Sequence, residues 1–215
     1  MNCLETFALC GAGKDTAAEC IDDAHPGFYC ENETCSPYSD GPVNDDENVA
    51  FLLISPNHYD VVSGMLLPSA FREITKRDLS VVRIDRADNS EVNQTIAKIV
   101  ARGLGKTSTS PRQITKACIA KTVDIRNLKI ESQRVVGVLD TALEDSRNHA
   151  SLFTNRVCKE NKQLRARLIS LVYDLMSQKE VDLPVENKFY LSTPAPPARV
   201  APYLAPVHYW DTDIR

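Results

Sequence analysis

The sequence predicts an α+β fold: a small, mostly antiparallel sheet packed by two main helices, with a Cys-rich N-terminal extension and a Pro-rich C-terminal tail. Three observations carry this expectation. The continuous apolar run Val49-Ala50-Phe51-Leu52-Leu53-Ile54, closed by Ser55-Pro56, reads as a buried strand. Val92, Ile96, Ile99 and Val100 recur at i, i+4, i+7 and i+8, on one face of a helix. Five of the seven cysteines fall within the first 35 residues, and six of the twelve prolines fall after Val181.

The 215 residues, 43% hydrophobic and 25% charged, have the composition of a globular chain and exclude wholesale disorder. No apolar run approaches the roughly 20 residues of a membrane-spanning helix. Glu5, Lys14, Asp15 and Glu19 interrupt the stretch where a signal peptide needs an apolar centre. The expectation is a cytoplasmic protein with no membrane partner.

Residues 1–47 form an acidic, loop-like head punctuated by Gly11, Gly13, Pro26, Gly27, Pro37, Gly41 and Pro42. Its helical candidate runs from Asp15 to Ala24, with Asp15 or Thr16 as cap. The head holds eleven acidic and one basic side chain, a charge of −10, leaving +6 on the remainder of a chain whose net charge is −4. Such a segment repels itself unless a cation or the basic body offsets it.

The α+β core is expected over 48–180. After the first strand, a short helix is expected around Ser69 to Ile74 with Ser69 as cap, then a strand from Leu79 to Ile84. The helix after Ser90 ends near Gly103. Strands are expected over Thr115–Leu128 and Arg134–Thr141, joined by a turn near Lys129 to Ser132. From Asp145 and Ser146, which serve as N-caps, to Gln178 nothing breaks a long helix, and Leu164, Leu168, Leu171 and Leu175 line one stripe that suits packing onto the sheet. Cys118 and Cys158 read as core residues. In the tail, 181–215, proline density excludes helix and central strand, while Tyr190, Tyr203, Tyr209 and Trp210 supply aromatic surface for wrapping the domain or docking on another protein chain.

Cys20, His25, Cys30 and Cys35 stand at equal four-residue gaps around a Pro26-Gly27 turn, three thiols and one imidazole, the donor set of a Cys3His zinc site. With no core of its own, the head would draw its ordering energy from the metal. Cys3 and Cys10 are able to substitute for any of the four, and in a reducing compartment the alternative is free or partly disulfide-bonded thiols. The function expected is a non-catalytic accessory or interaction protein, with a zinc-ordered head and a partner-docking tail.

Two other classes stay open. His58, after the first strand, and His149, near Asp140 in the chain, are candidate bases or ligands of a small metal-dependent hydrolase or nuclease-like enzyme. Lys106, Arg112, Lys116, Lys121, Arg126 and Lys129, opposed by Asp124 alone, make a basic stretch able to track a nucleic-acid backbone. Leu9 to Thr16 echoes a phosphate-binding glycine loop, but its leading glycine is replaced by Ala8 and no strand precedes it. The acidic turn Asp40 to Glu47 does not follow the twelve-residue calcium-loop order.

Overall fold

The apolar run beginning at Asn48 becomes the middle of a sheet. In the computed structural model, which describes residues 1–10, 17–103 and 113–183, β1 spans Asn48–Ser55 and is buried through most of its length. It is flanked by β2 (Leu79–Arg83) and β3 (Gln113–Lys121), both antiparallel to it. The sheet extends through β6 (Gly137–Asp140), β7 (His149–Phe153) and β8 (Glu180–Asp182), in the order β6-β7-β2-β1-β3-β8 with every pairing antiparallel. The α+β class and the antiparallel sheet are as the sequence predicts.

Strand alternation divides the apolar residues between two faces. On one face Val49, Phe51, Leu53, Leu79, Val81, Ala150 and Leu152 meet a 3-10 helix, Pro68–Thr75, and α6 (Lys162–Met176) through Phe71, Ile74, Leu168, Val172 and Met176. On the other, Ala50, Leu52 and Ala117 meet Ile96 and Val100 of α3 (Asn89–Gly103). Further along that second face Leu139 and Phe153 are covered by α1 (Cys3–Cys10) and α2 (Ala17–Ala24) through Phe7, Ala17, Ala18 and Ile21.

Several expectations are corrected. The expected helix from Asp145 to Gln178 is instead β7 followed by α5 (Arg156–Glu160) and α6. Ala150 and Leu152 face one side of the sheet and Ser151 and Phe153 the other, and β7 gains ladders with both β2 and β6. Asn155 and Asn161 then cap α5 and α6, accepting from the backbone N–H of Cys158 and of Gln163 and Leu164. The strands expected over Thr115–Leu128 and Arg134–Thr141 are not partners. β3 lies on β1 and β6 on β7, while α4 (Thr122–Arg126) and a two-stranded ribbon, β4 (Lys129–Ile130) with β5 (Gln133–Arg134), fill the interval. The ribbon turns at Glu131 and Ser132, both at positive φ, the conformation of a tight two-residue hairpin. Ser69 does not cap the helix at Pro68, whose first turn takes Pro instead.

The head also differs from the coreless arm its composition suggests. Phe7, Ile21, Phe28, Cys30 and Cys35 are buried against Leu139 and Phe153, so it borrows the sheet's second face as its core. Among the described residues, no helix is long and apolar enough to cross a membrane. The tail beyond Leu183 lies outside the described residues.

Candidate thiol and metal site

Asn2 opens α1, its Oδ1 accepting from Glu5 N–H at 2.8 Å while its own N–H donates to Glu5 Oε2 at 3.0 Å, a reciprocal cap. That cap sets Cys3 at the start of the helix and Cys10 at its end. Between α2 and the next element the chain reverses at Gly27 (φ 82°) and Phe28 (φ 63°). The reversal drops the Phe28 ring onto Phe153, edge to face at 5.3 Å, with the Arg134 guanidinium 4.7 Å above it. It also brings Cys30 beneath Cys3.

The sulfurs pair as Cys3–Cys30 and Cys10–Cys20, both with Cα separations of 5.8 Å. The equal-gap quartet of Cys20, His25, Cys30 and Cys35 is therefore divided. Cys20 is bonded to Cys10, Cys30 is bonded to Cys3, and His25 Nε2 lies 3.0 Å from Thr6 Oγ1, tying α2 to α1. The physical reason is helical: the sequence concealed α1, which carries the two extra cysteines and presents them to their partners.

One group of sulfurs does converge. Cys3, Cys30 and Cys35 are all buried, and their Sγ atoms lie within 4.8 Å of one another. This group is able to hold a metal. With Cys3 and Cys30 joined, however, Cys35 alone keeps a thiol, and it donates to the carbonyl oxygens of Cys30 at 3.3 Å and Glu33 at 3.6 Å. Burial, aided by the nearby Asp140 and Glu33 charges, pushes this thiol up to about 12. With that bond intact the Cys35 thiol is protonated and weakly reactive; three thiolate donors exist only after the Cys3–Cys30 bond is reduced.

Arginines of the body offset the head's negative charge. Glu31, 3% exposed, accepts from Arg126 Nε at 3.3 Å, from Arg134 Nη2 at 2.5 Å and from the backbone N–H of Val138. Asp45 takes Arg126 at 2.6 Å, and Glu47 takes Arg83 and Arg86 at 2.9 and 3.0 Å. The Asp40–Glu47 turn is thereby an ion-paired strap across the body.

These pairs also consume part of the basic stretch. Arg126 is occupied by Glu31 and Asp45, and Lys116 by Glu180 at 2.7 Å, leaving Lys121 and Lys129 exposed. Lys106 and Arg112 lie outside the described residues, as do positions 11–16 of the glycine loop.

His58 is a strand-end fitting. Its Nδ1 accepts the Ile54 N–H at 3.0 Å, its backbone N–H donates to the Ile54 carbonyl at 2.9 Å, and its ring stacks 5.4 Å from Phe51. His149 lies on β7, with Nδ1 3.0 Å from the Thr141 carbonyl and 2.8 Å from Thr141 Oγ1. Both histidines border one cavity of about 280 Å3. They do not form a pair. The register places His149 level with Val82 and Ala50, whereas His58 follows the far end of β1, about 16 Å along the strand. Asp140 faces the other side of the sheet, 3.6 Å from Arg83 Nη1, so the His58, His149 and Asp140 cluster is not assembled. The sequence missed Cys3 as the closest partner of Cys30, and Glu31 as the anchor of the head. The charge asymmetry between head and body was the signal for the latter.

No family model, curated protein or solved structure matches the chain.

Proposed function

We propose that this is a non-catalytic accessory protein whose head is a redox-responsive zinc site and whose tail docks on another protein chain. The observation that carries the reading is the convergence of three buried sulfurs within 4.8 Å. Zinc–thiolate bonds of about 2.3 Å place adjacent sulfurs about 3.8 Å apart in a tetrahedron, so closure onto a metal asks the Cys3 and Cys30 sulfurs to part by about 2 Å from bonding distance and Cys35 to approach by at most roughly an ångström. Imidazole is absent from this group, and a fourth coordination position is left that these three ligands do not fill.

Oxidation and metal loading exclude each other here, because the Cys3–Cys30 bond uses two of the three donors. A cytoplasmic, reducing location favours the zinc form; an oxidising location favours the disulfide. Metal binding must also displace a proton from Cys35, whose thiol burial disfavours as an anion. Zinc affinity therefore rises with pH through and above neutrality.

The test is to reduce the protein with a phosphine, remove the reductant without oxygen, add zinc with a competing chromophoric chelator, and count metal by elemental analysis. About one zinc per chain is expected in the reduced protein and less than about a tenth in the disulfide form, with Cys35→Ser reducing the former severalfold. Less than about a tenth of a zinc in the reduced wild-type protein overturns the reading.

A further inference from the structure

The sheet's second face carries an inconsistency between pattern and burial. On the first face, β2 and β7 present Leu79, Val81, Ala150 and Leu152, as a covered face requires. On the second they present Ser80, His149 and Ser151 between two apolar clusters, one under the head and one under α3. Ser151 is 3% exposed, with Oγ 3.0 Å from Thr141 Oγ1, which in turn meets His149 Nδ1 at 2.8 Å. Ser80 is exposed although its strand is central.

Its exposure has a backbone cause. β1 and β2 pair only at Val49 with Arg83 and Ala50 with Val82. Beyond that point β1 continues along β3 to Ser55 and β2 along β7 to Leu79, so the two strands splay apart. The cavity of about 280 Å3 opens over the splay, between the sheet, α3 and Phe7 and Ala17 of the head. Its volume equals the liquid share of about nine waters, the lower end of ligand-sized sites.

From this geometry we infer that the cavity is a binding site for a small uncharged organic molecule carrying a hydroxyl group. Leu52, Val82 and Ile99 form its apolar wall, and the Ser80, Thr141 and Ser151 hydroxyls, which both donate and accept, form its polar end. The charged residues on the wall argue against an anion. Arg77 is paired with Glu73 at 2.7 Å and Lys98 with Asp145 at 2.9 Å, and Asp78 accepts the Ala18 N–H at 2.9 Å, so the acids exceed the bases by one. An incoming anion meets a wall whose cations are already matched. A hydroxylated neutral molecule satisfies the polar end and dries the apolar one.

The test uses 2-naphthol as a fluorescent neutral probe and 2-naphthoate as its anionic counterpart, on the full-length protein with its disulfides intact. Saturable binding of about one naphthol per chain is expected, at least about tenfold tighter than naphthoate. Two cavity-filling variants, Ser80→Trp on the sheet and Thr95→Phe on α3, should each weaken naphthol binding at least about tenfold while circular dichroism shows an unchanged fold. Absence of saturation, equal binding of naphthoate, or undiminished binding in either folded variant overturns the assignment. No cysteine lines the cavity, so either outcome leaves the zinc test above independent.

Discussion

Glu47 grips Arg83 in a two-pronged pair, Oε2 2.9 Å from Nε and Oε1 2.9 Å from Nη2, with the guanidinium 1% and the carboxylate 8% exposed. Arg83 also donates to the carbonyls of Gly41 and Pro42 at 2.8 and 3.0 Å, so one buried arginine holds the strap that joins head to sheet. Glu47→Ala removes the two-pronged partner of that cation and leaves it the longer contact to Asp140, at 3.6 Å. A loss of about 3–5 kcal/mol is expected in denaturant unfolding, and a loss below about 1 kcal/mol would show that the pair contributes little.

The same carboxylate sets an acid limit. Burial alone would raise Glu47, but hydrogen bonds from Arg83 and the Asn44 N–H, with the Arg83 and Arg86 charges, outweigh it and hold the group below its ordinary 4.5. A depressed carboxylate contributes stability that is present above 4.5 and lost as pH falls through the folded value. Asp140, raised above 3.8 chiefly by burial, acts in the opposite sense over its own range. Urea midpoints should therefore drop on acidification below 4.5, and Glu47→Gln should flatten that slope. An identical slope in the variant would assign the acid loss to other groups.

The two disulfides span 27 and 10 residues of sequence. Loop-closure entropy assigns them about 3.5 and about 2.7 kcal/mol respectively. Peptide mapping without reductant should recover Cys3–Cys30 and Cys10–Cys20, with Cys35, Cys118 and Cys158 as thiols. In the native protein Cys35, at about 12 against an ordinary 9.0, should react with iodoacetamide about a thousandfold more slowly than in the unfolded chain. Rapid alkylation of Cys35 without unfolding would contradict its burial.

Head docking passes through Gly137. A Cβ there would lie 2.5 Å from both Phe153 Cε1 and Phe28 Cδ1, two rings already in contact. Gly137→Ala should destabilise by about 1–3 kcal/mol and raise hydrogen exchange in α1 and α2 before the rest of the sheet. Uniform protection in the variant would mean that the rings shift without loosening the head.

Local signals revealed β1 by its continuous apolar run closed by Ser55-Pro56, and α3 and the leucine stripe of α6 by helical periodicity. β7 escaped because its five residues follow the cap-like Asp145 and Ser146 and lead without proline or glycine into α5 and α6, so they read as the first turns of one long helix. The equal gaps of the cysteine quartet describe distance along the chain, whereas the pairing of Cys3 with Cys30 and Cys10 with Cys20 depends on where α1 lies in the fold. Glu31 illustrates the same limit: the charge imbalance announced a basic counterpart, but only the fold selects Arg126 and Arg134.

The Cys3–Cys30 bond also sets how tension enters the molecule. A pull on Met1 passes through sulfur to residue 30, bypassing α1 and α2, and arrives next to Glu31, which Arg126 and Arg134 hold. While that bond is intact the head resists as a short tether rather than unspooling. Cutting that bond alone puts residues 4–10 and 20–29 into the load path, while the Cys10–Cys20 bond still closes off 11–19.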